Sequence, residues 1–150
     1  MILLSRRSQL AVAAVLDVAL HARPLPVSAK ALSARHNLPP RHLETLLQAL
    51  VRANILKGVR GPRGGYELAR ERRRITAGDI VRAAMTEVTE EDSGFGPDSV
   101  LVERVIGPLV DAAGQRFLAE LDAVTVDDLC RDAAAKEAID QSRQGSDFTI

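Results

Sequence analysis

One hundred and fifty residues with 46% hydrophobic content suffice for one compact domain, or for a small domain plus an oligomerisation arm. Aromatic residues at 3% give an aliphatic core with few stacking platforms for unpaired bases, which counts against a single-strand binder. The one cysteine, Cys130, excludes an internal disulfide and a multi-cysteine metal cage built by one chain. A net charge of zero conceals a split: residues 1–74 carry 14 Lys and Arg against 4 Asp and Glu, and residues 75–150 carry 6 against 16, so the halves stand at +10 and −10. A basic reader joined to an acidic partner module has this pattern. The cysteine usage points to a reducing compartment, the cytoplasm.

The first strong pattern is "LAVAAVLDVAL", residues 10–20. It is apolar on nearly all sides and reads as a helix buried between other elements. Asp17 interrupts it, and it is too short to span a bilayer, so no membrane partner is expected. The preceding Arg6 and Arg7 give it the look of a signal peptide, against which stand the charge at Asp17 and the helical pattern that follows.

Pro24 and Pro26 close that helix. Ser28 then suits the N-cap of a short helix, "AKALSARH", and Asn37 the left-handed turn at its end. Pro40 pushes Pro39 away from the helical region and itself fits a first helical position, so a second helix starts there. Leu43, Leu46, Leu47 and Leu50 form its buried stripe. Its opposite face carries Arg41, His42, Glu44, Thr45, Gln48 and Arg52. Two short helices joined by a tight turn, the second with a polar outer face, are the layout of a helix-turn-helix, whose second helix fits the major groove of B-DNA.

"ILKGV" and "YEL" read as strands, with "RGPRGG" supplying turn chemistry through Gly61, Gly64 and Gly65. The hairpin is a wing whose tip carries Arg60 and Arg63. Its glycines let backbone approach a phosphate or enter a narrow minor groove where arginine is favoured, while Tyr66 and Leu68 anchor it to the core. A nucleotide-binding phosphate loop is the competing reading; it opens a helix and carries Lys followed by Ser or Thr, which this turn lacks.

"SQLAVAAVLDVAL", the run "VSAKALSARHNLPPRHLETLLQALVRANILKGVRGPRGGYELAR", then "ITAGDIVRA" and "VTVDDL", resemble the Rrf-type winged-helix transcription regulators, the family that includes IscR, NsrR and CymR. The resemblance covers residues 5–82 and returns around 105–130. It implies a mainly α fold with a small β-hairpin wing: a winged helix-turn-helix DNA-binding domain over 1–86, an acidic loop and dimerisation helices over 87–140, and a flexible polar tail over 141–150. It further implies a bacterial homodimer on a palindromic double-stranded operator, with the second helix in the major groove and the wing in the adjacent minor groove. Expected DNA contacts are Arg41, Arg52, Arg60 and Arg63, with Glu44, Thr45 and Gln48 as base readers; a carboxylate such as Glu44 accepts from the cytosine amino group.

Family members with an iron–sulfur cluster place three closely spaced cysteines in a stretch that here reads "TEVTEEDSGFGPDSVLVERVIG" and has none. No cofactor is therefore expected, and an atypical cluster is the alternative. Glu87, Glu90, Glu91 and Asp92 read as a solvated acidic loop rather than a cation site. Cys130 reads as a small packed residue, with redox sensing as the functional alternative; Asp127, Asp128 and Asp132 disfavour its thiolate and Arg131 partly offsets them. His21, His36 and His42 look scattered, more suited to surface or phosphate contact than to ligation.

Over residues 99–121 the apolar positions Val102, Val105, Ile106, Leu109, Ala113, Phe117 and Leu121 recur at helical spacing and need a partner, with Pro108 marking either the helix start or a bend. No metalloprotease motif, nucleophile elbow or triad order is visible, so an enzyme is the least supported class. A winged-helix module that binds protein stays below DNA binding, because the second helix and wing keep their basic character.

Overall fold

The computed structural model of the chain describes residues 4–86 and 99–146. The first helix, α1 (Arg6–His21), starts where the Ser5 side chain accepts from the Ser8 amide at 3.2 Å. Ala11, Ala14, Val15, Val18 and Ala19 bury its inner face, and these small or β-branched side chains let neighbouring helices approach closely.

Next come α2 (Ala29–His36) and α3 (Pro40–Arg52). Ser28 caps α2 by accepting from the Ala31 amide at 3.1 Å, and Asn37 takes the left-handed conformation at its end with φ 50°. Pro39 is extended and Pro40 opens α3, as their ring chemistry requires. Leu43, Leu46, Leu47 and Leu50 are buried as the spacing predicts, each worth roughly 1.5–3 kcal/mol of transfer free energy. Asn54, with φ 57°, turns the chain into β1 (Leu56–Val59), which pairs antiparallel with β2 (Gly65–Leu68) in the register Leu56 to Leu68 through Val59 to Gly65. Tyr66 and Leu68 pack against the core, so the hairpin is anchored as expected.

A 3-10 turn, Arg72–Arg74, leads to α4 (Ala77–Met85), which begins with a reciprocal cap: the Asp79 amide donates to Thr76 Oγ1 at 3.0 Å and the Thr76 amide to Asp79 Oδ2 at 3.1 Å. Thr125 and Asp128 repeat this arrangement at the start of α6 (Val126–Ser146), at 3.0 and 3.1 Å. A two-bond bridge joins the two helix starts: Ala77 donates to the Val124 carbonyl and Val126 to that of Ile75, each at 2.8 Å. Val126 and Cys130 thereby enter the same core as Val15, Leu32, Leu47 and Ile80. The expected flexible tail needs correction for residues 141–146, which are the end of α6; residues 147–150 lie outside the described residues.

Between them runs α5 (Gly107–Asp122), entered through a π-helical turn, Val102–Ile106. This turn resolves Pro108. Gly107 donates to Val102, and the wider turn carries the helix past a residue that has no amide hydrogen. Among the described residues no helix is long and apolar enough to cross a membrane.

Candidate nucleic-acid interface

Arg41, Glu44, Thr45, Gln48 and Arg52 are all exposed on α3, opposite its leucine stripe. The first four follow one another up a single face. Thr45 spends its hydroxyl hydrogen on the Arg41 carbonyl at 3.2 Å, leaving its oxygen lone pairs outward. Arg52 continues that face at the last residue of the helix. It lines a cavity of about 560 Å³ with Ala49, Ile55, Arg70, Asp79 and Arg82, at the C-terminal end of α3. His42 is exposed beside Arg6, Arg7 and Leu46.

Arg60 and Arg63 are exposed at the two sides of the wing turn. The wing is seated by a short β-bridge: Val27 donates to the Tyr66 carbonyl at 3.0 Å and Tyr66 to that of Val27 at 2.8 Å. Two of the wing glycines are required by close backbone approaches, Gly65 at that seat and Gly64 within the turn itself. A Cβ on Gly65 would lie 2.3 Å from the Val27 carbonyl oxygen, and one on Gly64 2.2 Å from that of Val59. Gly61 sits in open space with φ 118°, so there the requirement is conformational. Because Val27 immediately precedes the α2 cap, the bridge places the wing beside the helix-turn-helix. Arg63 and Arg35 consequently line one cavity, of about 360 Å³, with His21 and Arg23.

Two of the three histidines are not scattered, contrary to the sequence expectation, while His42 stands apart. His21 and His36 converge on Asp17, which is 5% exposed. Arg35 Nε and Nη2 donate to its two carboxylate oxygens at 2.8 and 2.7 Å, His36 Nε2 lies 2.9 Å from Oδ2, and His21 Nδ1 lies 3.2 Å from Oδ1. Burial alone pushes this carboxyl up, but the bonds from Arg35 and His36, with the charges of Arg35 and His21, hold it below its ordinary value. The sequence signal was present, a lone acid inside an apolar helix and a basic pair ending the next one. What it lacked was the crossing of the two helices.

Cys130 is 4% exposed, and burial pushes its thiol up; Asp127 adds to this and the Arg72 cation opposes it. Arg72 also donates to the Ala19 carbonyl near the C-terminus of α1, where a cation is favoured. No group of three His, Cys, Asp or Glu side chains placed to hold a metal ion occurs among the described residues. The expected acidic loop with Glu87, Glu90, Glu91 and Asp92 lies outside them.

Comparison with known proteins follows the same line. Residues 4–132 match the family Rrf2, described as an iron-dependent transcriptional regulator. An HTH-type transcriptional regulator of Synechocystis, slr0846, is 38% identical over 136 residues, covering 90% of this chain and 92% of that protein. Protein rrf2 of Nitratidesulfovibrio vulgaris is 32% identical, covering 87% and 89%. Among solved structures, T. potens IscR is 33% identical with a TM-score of 0.62 over 87% of each chain. CymR, the global cysteine regulator of B. subtilis, is 27% identical with a TM-score of 0.63, over 87% of this chain and 98% of that one.

Proposed function

The chain belongs to the Rrf2 family of transcriptional regulators, and from that premise we propose that it is a homodimer that reads a palindromic operator in the cytoplasm without a standard iron–sulfur cluster. The family is one of DNA-binding regulators rather than of enzymes, and the winged fold is the one seen in IscR and CymR. One observation carries the reading: α3 exposes Arg41, Glu44, Thr45 and Gln48, and the wing bearing exposed Arg60 and Arg63 is bridged to the start of the same helix-turn-helix, both on the half of the chain with net charge +10. Phosphate contacts from the arginines set register, α3 reads base edges, and the wing reads groove shape. Arg52, at the far end of α3, contributes to the backbone-facing positive field.

The test is a binding isotherm on a duplex that the wild-type chain enriches from a randomised library. Arg63→Ala is expected to weaken binding and to reduce the slope of log K against log salt by about 1, the loss of one phosphate contact. An unchanged slope would remove the wing from the interface.

The donor set argues against a standard cluster. Thiolates hold such clusters, and the single cysteine of this chain is a core residue with a raised pKa. Protein purified without oxygen is expected to be colourless above 300 nm in its absorption spectrum, roughly where cluster bands begin; stoichiometric iron and sulfide would refute this. Cys130 is read as a packing residue, with redox sensing disfavoured by the scarcity of its thiolate.

A further inference from the structure

Asp17 is a buried carboxylate that the DNA-facing chemistry leaves unused, yet two of its three side-chain partners, Arg35 and His36, lie on the first helix of the helix-turn-helix. It sits on α1, and Arg35 and His36 reach it from the last turn of α2, eighteen and nineteen residues on. Both Arg35 bonds are short, and they form a two-pronged fork that fixes the guanidinium in plane as well as in distance.

The next residues inherit this placement. Ser33 donates its hydroxyl to the Leu38 carbonyl at 2.6 Å, and the Leu38 amide returns a bond to the Ser33 carbonyl at 3.2 Å. Asn37 between them is left-handed and Pro39 is extended, so the path from Arg35 to Pro40 has little freedom left. The other end of α2 is tied to the wing through the Val27 to Tyr66 bridge. The short helix α2 is therefore held at one end by the wing and at the other by Asp17, and it launches α3 from the Asp17 end.

Resting on the DNA-binding reading above, we propose that Asp17 is a positioning residue for operator recognition: through Arg35 and His36 it sets the last turn of α2, and with it the angle at which α3 presents Arg41, Glu44 and Gln48. Base-edge contacts demand placement within about 0.5 Å, whereas phosphate attraction tolerates looser geometry. Loosening the clamp therefore removes sequence discrimination before it removes general affinity for DNA.

The experiment compares binding to the duplex enriched by wild type with binding to calf-thymus DNA, for Asp17→Asn, Arg35→Lys, Arg35→Gln and the double variant Asp17→Asn/Arg35→Gln. Circular dichroism and thermal melting establish that each variant is folded at the assay temperature. Arg35→Lys keeps the charge, loses the fork, and changes a half-exposed side chain, so it tests the proposal even where Asp17→Asn does not fold. The ratio of the two affinities is expected to fall about 10-fold in each folded variant, with calf-thymus binding and the salt slope unchanged, and the double variant should be no worse than the worse single one. A lowered melting temperature with an unchanged ratio would make the cluster merely structural and overturn the proposal. So would a salt slope reduced by about 1 in Arg35→Gln alone, which marks Arg35 as a direct phosphate contact. Failure of the wild-type chain to enrich any sequence would overturn both this proposal and the operator reading; enrichment with the ratio intact in the variants overturns this one alone.

Discussion

At the scale of single residues, Asp17 is one of the carboxylates, with Asp122 and Asp128, whose loss of charge weakens the fold in acid. Its carboxyl titrates below the ordinary value of 3.8 in the folded chain, so folding favours the ionised form. The resulting stability is present above about pH 4 and drains away as pH falls through the lowered folded value. Asp17→Asn removes the buried carboxylate that accepts from the half-exposed Arg35 and from His36, and is expected to cost about 1–3 kcal/mol near neutral pH. Because the variant has nothing to titrate there, the acid limb of its stability curve should be flatter than that of wild type. Urea unfolding at a series of pH values checks both; an equally steep acid limb would assign the slope to other carboxylates. Cys130 shows the opposite case, in which no anion is stabilised and burial simply keeps the thiol protonated.

At the scale of elements, close approaches decide more than propensity. The N-terminal turn of α4 meets the end of α5 at Gly78, where a Cβ would stand 1.9 Å from Asp122 Oδ1. Asp122 is held there by Arg82, whose guanidinium donates to both carboxylate oxygens at 2.6 and 2.8 Å. Gly78→Ala is expected to expel Asp122, break this fork and destabilise the chain by about 1–3 kcal/mol. Truncating the obstacle should relieve it: Gly78→Ala/Asp122→Ala is expected to recover part of the loss in thermal melts, and strict additivity would count against the clash. The glycine run of the wing follows the same logic. Its turn chemistry was legible in "RGPRGG", and Gly64 answers to the Val59 carbonyl within that turn, but Gly65 answers to the Val27 carbonyl, 38 residues earlier in the chain.

At the scale of the whole molecule, the long helix is left half-dressed. Val105 is 59% exposed, Leu109 68% and Val110 60%, and the same stripe includes Val102 and Ile106. An apolar patch of this length calls for a cover, and in the proposed homodimer that cover is its own two-fold copy. Leu109→Asp is therefore expected to shift sedimentation from dimer to monomer and to weaken binding to the enriched duplex by at least about 10-fold, since each half-site then binds alone. A dimer that persists would move the interface elsewhere. The opposite charges of the two halves also meet within one subunit. Arg73 lies 3.8 Å from Asp127 and Arg70 3.9 Å from Asp79, so part of the acidic half is folded back on the basic one.

The features readable along the chain are local ones. Ser28, Asn37, Pro39 and Pro40 act on their own backbone within one turn, so the ends of α2 and the start of α3 were readable to the residue. The leucine stripe of α3 and the hairpin turn are likewise short-range patterns, and with them came the exposed residues expected at DNA. What depends on how helices cross was not readable there: that Asp17 meets Arg35 and His36, that Arg52 lines a cavity beside α4, and that α6 returns Val126 and Cys130 to the winged-helix core. The physical reason is that a side chain's partner across eighteen residues or more is chosen by packing angle and burial. Those are properties of the assembled core, and no cap, turn or period along the chain encodes them one at a time.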